Sequence, residues 1–216
     1  MGYGTHPGPI VLPIENKTPF AVELVSIVAP PDQWGGRTDL VRANNNRVLA
    51  AASLLSQMQL NRGAVSLVTL DLMNQTVPFR QNDLHQLNWS PLAQTFTPTL
   101  ENQRVTVPAL EALRKRSDFF RNWLRGKLQA PGRPLQVFIL VSGSLLFERG
   151  TDLSPLKWDG ECNCRVYHLR FRINNDDLFD DLGKLIQPLH PKTFNILTPL
   201  QFRKAVGEIA RDLEKL

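Results

Sequence analysis

The chain has 216 residues, of which 42% are hydrophobic and 21% charged, and its formal net charge is +5. That size and balance suit a globular α/β domain able to bury a core without covalent staples, and they exclude a collagen-like or low-complexity chain. No run approaches eighteen consecutive apolar residues, which excludes a transmembrane helix.

The opening, "MGYGTHPGPIVLP", lacks the basic-then-apolar pattern of a signal peptide, and residues 1–18 read as a loose Gly/Pro-rich lead-in. From residue 19 onward, strand-like and helical runs alternate through 216 as one domain. "FAVELVSIVA" (20–29) predicts a first strand, followed by the loop "PPDQWGGR". The apolar residues Leu40, Val41, Val48, Leu49, Ala52, Leu55 and Met58 recur at a helical period, with Thr38 or Asp39 as N-cap. "AVSLVTLDL" (64–72) predicts a second strand and "TVPF" (76–79) a short edge strand, where its proline is tolerated.

"NDLHQL" suggests one helical turn and "SPLAQTFTPTL" an irregular stretch. Leu110, Leu113, Phe120, Trp123, Leu124 and Leu128 then mark a helix closed by "APGRP". "LQVFILV" (135–141) is the next strand. "CRVYHLRFRI" (164–173) is another, with Tyr167, Leu169, Phe171 and Ile173 on one face. "NDDLFDDLGKLIQPL" predicts a helix with acids in its first turn, as the helix dipole favours. "KTFNIL" is a last short strand. Thr198 followed by Pro199 opens a C-terminal helix, a cap and then proline at the first helical position. The order β-α-β-β-α-β-β-α-β-α predicts a doubly wound α/β fold: a mostly parallel six-stranded sheet in the order 3-2-1-4-5-6, with helices on both faces.

Several residues qualify as candidate site groups. "VFILVSGSLL" stops an apolar run at Ser142 and Ser144, where a doubly wound sheet could hold a metal, a phosphate or a nucleophile. A nucleophile elbow requires Gly-x-Ser-x-Gly, and Leu140 and Ser144 occupy the glycine positions. Neither His168 nor His190 has a recognisable partner, and no Gly-x-Gly-x-x-Gly or Gly-Lys-Ser/Thr loop occurs. The serines therefore read better as turn caps at the rim. Cys162, Cys164 and His168 share a face of an extended strand but spread over about 20 Å, too far for one zinc ion. The two cysteines are expected to be free thiols or a labile bridge, since side chains two apart on a strand sit near the limit for bonding. Trp34, among prolines and glycines just after the first strand, is the best contact anchor, with Asp32 beside it and Asp71 on the same rim. Residues 101–134 hold eight basic residues (Arg104, Arg114, Lys115, Arg116, Arg121, Arg125, Lys127, Arg133) against three acidic ones. That segment could attract a polyanion, or form a solvated helix face.

The six strands and the "LVSGS" segment resemble the integrin-type von Willebrand factor A domain, which ends its first strand with Asp-x-Ser-x-Ser around a divalent ion. Ser142 and Ser144 match that pattern. Leu140 stands at the aspartate position, however, and the segment falls on the fourth strand rather than the first. "NRGAVSLVTLD", "TVPF", "PLQVFILVSG" and "CRVYHLRFR…DDLGKLIQPLHPKTFNILTPLQFRKAV" resemble the degenerate A-type domains in secreted proteins of soil acidobacteria. The resemblance implies an extracytoplasmic domain of unassigned function that is used for binding. With the rim residues read above, the expectation is a protein-interaction module with no metal and no cofactor, whose candidate binding residues are Asp32, Trp34, Asp71, Ser142 and Ser144. The alternatives are an enzyme of unknown chemistry on the same rim, or a domain that binds polyanions weakly through 104–133.

Overall fold

Strands buried on both faces read as unbroken apolar runs, and two such runs lie at the centre of this protein. The computed structural model describes residues 20–28, 38–56, 65–72, 75–81, 110–128, 135–143, 163–172 and 180–216. β1 (Phe20–Val28) is buried everywhere except Ala21, and β4 (Leu135–Gly143) is buried from Val137 onward. The two pair in parallel, from Phe20 opposite Leu135 to Ile27 opposite Ser142.

β2 (Val65–Asp71) lies parallel to the other side of β1, and β3 (Thr76–Gln81) closes that edge antiparallel to β2. Its Pro78 cannot donate to a ladder, which suits an edge strand. On the other side, β5 (Cys164–Phe171) is parallel to β4 and β6 (Lys192–Ile196) parallel to β5. The sheet order is β3-β2-β1-β4-β5-β6, the expected 3-2-1-4-5-6.

The remaining elements are α1 (Thr38–Ser56), α2 (Leu110–Leu128), α3 (Asp181–Ile186, continued by one 3-10 turn to Leu189) and α4 (Pro199–Glu214). Side-chain parity divides the core into two layers. Val22, Leu24, Leu67, Ile139, Val141, Tyr167, Leu169 and Phe171 meet Val48, Ala52 and Leu55 of α1 and Ala205, Ile209 and Leu213 of α4. The opposite face carries Val25, Ile27, Val68, Leu70, Phe138, Leu140 and Val166, packed on Phe120 and Leu124 of α2 and Leu182, Leu185 and Ile186 of α3. Helices therefore cover both faces. The Thr198 cap forms as the sequence implies. Its hydroxyl accepts from the Gln201 amide, while the Gln201 side chain accepts from the backbone N–H of Thr198 and of Leu197. The helical turn expected at "NDLHQL" and the irregular "SPLAQTFTPTL" lie outside the described residues, whereas the helix expected from residue 175 begins only at Asp181, with Asp180 non-helical before it.

Two long-range ties seat α1 on the carboxyl edge. Arg47 donates from Nη1 to the Arg172 carbonyl and from Nη2 to the Leu197 carbonyl, both at 3.0 Å, with its guanidinium 5.2 Å from the centre of the Phe171 ring. Asn44 Nδ2 donates to the Phe171 carbonyl at 3.4 Å, and the same amide occupies the space a side chain at Gly143 would need. A glycine is required there because of close approach, not because of its backbone angles. Gly143→Ala should therefore destabilise the fold by roughly 1–3 kcal/mol, as overpacking does. Chemical denaturation measures that loss, and Asn44→Ala in the same chain should recover part of it.

Candidate functional site

The carboxyl edge of β4, β5 and β6 carries a cross-strand row of polar side chains on the α2/α3 face. Register places Ser142 opposite Arg170 and Arg170 opposite Asn195, with His168 one rung earlier, opposite Leu140. Ser142 and His168 are both fully buried, at 0% exposure. Ser142 Oγ lies 2.8 Å from His168 Nε2 and donates to the Gly143 carbonyl, also at 2.8 Å. His168 does have a partner, which the sequence alone did not suggest.

Asp180, at the N-cap position of α3, makes no side-chain cap. A charged partner holds its carboxylate elsewhere: Arg170 Nη1 is 3.2 Å from Asp180 Oδ2, and Arg170 Nε donates to Asn195 Oδ1 at 2.8 Å. A side chain on Gly183 would begin 2.6 Å from the same Oδ2, so glycine leaves room for this arrangement. His168 Nδ1 stands 3.9 Å from Asp180 Oδ2, too far for a hydrogen bond. Neither that ring nitrogen nor Asp180 Oδ1 has a hydrogen-bond partner. Burial pushes the His168 pKa below its ordinary 6.5; Asp180 opposes that shift and Arg170 adds to it.

Serine, histidine and aspartate in sequence suggest a nucleophile with its base. The geometry argues otherwise. The serine proton is directed to the Gly143 carbonyl, the imidazole is 3.9 Å from the carboxylate, and no surface of serine or histidine is exposed to a substrate. The group satisfies buried polarity across three strands.

Of the expected rim residues, Asp71 ends β2 at 2% exposure and Ser142 is sealed inside the row. Asp32, Trp34 and Ser144 lie outside the described residues. The ends of β1 and β4 are neighbours, as Ile27 opposite Ser142 shows. A second polar group lies on the α1/α4 face, where the Ser26 and Thr69 hydroxyls are 2.7 Å apart and buried.

Part of the basic segment is taken up by the fold. Lys127 forms an ion pair of 2.6 Å with Glu23 of β1, Arg121 is buried, and Arg125 donates to Asn122. Arg114, Lys115 and Arg116 lie in α2 with side chains outside the described set, and Arg104 and Arg133 lie outside the described residues altogether. Cys164 is disulfide-bonded, and Cys162 lies outside the described residues. Among the described residues, no three His, Cys, Asp or Glu side chains are grouped to hold a metal, and no helix is long and apolar enough to cross a membrane.

No family model and no curated protein matches the chain. Among solved structures it is similar to the pilus adhesin SpaC from Lactobacillus rhamnosus GG, at 11% identity and a TM-score of 0.38. That alignment covers 92% of this chain and 31% of the adhesin, so the chain spans about a third of that protein.

Ser142→Ala should cost roughly 1–3 kcal/mol, because it leaves the buried Nε2 of His168 without its partner. Urea titration at neutral pH measures this. Acid should weaken the fold through His168. With the folded pKa depressed, the unfolded chain takes up its proton first, so stability is complete above 6.5 and falls as pH drops from 6.5 toward the folded pKa. The difference in stability between wild type and His168→Gln, followed from pH 8 to 5, should change in that window and remain flat above it.

Proposed function

We propose that this chain is a von Willebrand factor A-like interaction module of an exported bacterial protein, and that it binds a protein partner through the carboxyl edge of its sheet without a divalent ion. The observation that carries this reading is the reversal of strand order between β1 and β4, whose carboxyl ends are adjacent at Ile27 and Ser142. Open α/β sheets bind their ligands in the crevice outside such a switch point. Asp32 and Trp34 follow Val28 by four and six residues, and Ser144 follows Gly143 directly. A tryptophan beside short polar groups is a common anchor for a protein loop.

The independence from metal has its own support. Ser142, the first serine of the adhesion pattern, commits its hydroxyl to Gly143 and His168, and Leu140 brings an apolar side chain where a hard cation needs a carboxylate. The polyanion reading is weakened by the ties of Arg121, Arg125 and Lys127 to the fold.

Two experiments bear on the proposal. Millimolar magnesium, calcium or manganese should leave the melting temperature unchanged, since a ion bound only by the folded state would raise it in proportion to RT ln(1 + [L]/Kd). A rise of several degrees that Ser142→Ala abolishes would overturn the metal-free reading. Trp34→Ala should weaken capture of partner protein, measured with immobilised domain against surface extracts, while leaving the melting temperature within a degree or two of wild type. A large loss of stability instead would assign the tryptophan to the core and remove it from the binding edge.

A further inference from the structure

The Ser142 hydroxyl has one proton and two partners at 2.8 Å, the Gly143 carbonyl and His168 Nε2. The carbonyl can only accept, so we assign it that proton, and the contact with His168 then corresponds to a proton on Nε2, an assignment that ring spectroscopy tests. A neutral imidazole protonated at Nε2 has a bare lone pair at Nδ1. That lone pair faces a carboxylate 3.9 Å away and has no hydrogen-bond donor; Asp180 Oδ1 has none either. Two buried acceptors turned toward each other are an unfavourable pair, and a proton on Nδ1 would turn them into an ion pair.

We propose that His168 and Asp180 form an acid-operated latch joining β5 to the start of α3, closed by the Arg170–Asp180 ion pair at neutral pH and released when His168 takes a proton at Nδ1. The charged groups acting on the imidazole are Asp180, at the entrance of α3, and Arg170, on its own strand. β4 contributes only the uncharged Ser142, and β6 contributes Asn195 through Arg170. Asp180 cannot serve both cations in its present position. It is 3.2 Å from Arg170 and 3.9 Å from His168, so a hydrogen bond to a protonated Nδ1 requires the carboxylate to move toward the ring. Protonation therefore draws the carboxylate from Arg170 toward His168 or expels the buried imidazolium toward water. Either movement shifts the entrance to α3 relative to β5. Burial favours the neutral form at pH 7, so the latch responds to acid below the ordinary histidine range rather than opening under neutral conditions. The proposal concerns stability and motion of this edge and does not depend on the binding role assigned above.

The test is long-range ¹H–¹⁵N spectroscopy of the histidine rings in the whole chain from pH 8 to 4.5, together with amide hydrogen exchange corrected for its intrinsic pH dependence. The expected neutral form of His168 carries its proton on Nε2, with a titration midpoint below 6.5. Exchange at Arg170 and across 181–186 should quicken at least tenfold on protonation, while exchange across 22–27 in β1 remains constant. Asp180→Asn should lower the midpoint further by removing the anion that favours the proton. His168→Gln, whose amide can still donate to Ser142, should abolish the acid-dependent exchange. An Nδ1–H tautomer, a midpoint at or above 6.5, or the same acid response in His168→Gln would overturn the latch. Should His168→Gln fail to fold, the wild-type tautomer and the midpoint of Asp180→Asn decide the question.

Discussion

A strand hydrogen-bonded on both sides and covered by helices above and below has no backbone group left for water, and β1 and β4 both meet that description. Their pairing from Phe20 to Ile27 with Leu135 to Ser142 joins two halves of the chain more than a hundred residues apart. It also places the carboxyl ends of all the parallel strands along one edge. Among the described residues the one antiparallel pairing, β2 with β3, is pushed to the margin, where a proline can be accommodated. Helices must then cross from edge to edge, and parity assigns α1 and α4 to one face and α2 and α3 to the other.

Several of the polar side chains that enter this apolar sandwich are paired with one another. On the α2 side, Glu23 is buried in the middle of β1 and is matched by Lys127, whose ammonium also lies over the Trp123 ring. At the carboxyl edge the same face holds Ser142, His168, Arg170, Asp180 and Asn195, linked across β4, β5, β6 and the entrance to α3. The two buried polar groups differ in one respect. Glu23 and Lys127 form a closed pair, whereas the row at the edge leaves one ring nitrogen and one carboxylate oxygen without donors. An incomplete network in a low-dielectric interior is sensitive to the state of a single proton.

Much of the architecture could be read from the sequence because period and punctuation carried it. β1 and β4 are apolar without interruption, Thr198 and Pro199 announce a helix start, and Pro78 identifies an edge strand. The order of strands followed from alternation and handedness alone. The polar row was less legible for a physical reason. Neither "VFILVSG" nor "CRVYHLRF" contains the register between them, and His168 acquires its partner only when Leu140 is set opposite it. Parity was available in the sequence: residues 138, 140 and 142 share one face of their strand, and 166, 168 and 170 share one face of theirs. Asp180 misleads in another way. An aspartate before a helix suggests a cap, yet the guanidinium of Arg170 competes for the carboxylate and wins. Of the residues expected to bind, Ser142 and Asp71 prove to be interior groups, because a strand end in a covered sheet is still inside the molecule.

The Arg47 clamp has a consequence for the order of assembly. Its two hydrogen bonds reach carbonyls 125 and 150 residues further along the chain, at the points where β5 and β6 end. An arginine early in the sequence thus waits for the last strand before its guanidinium is satisfied. The contacts that close the carboxyl edge around α1 span more than a hundred residues, and such long-range closures cost more chain entropy than local ones.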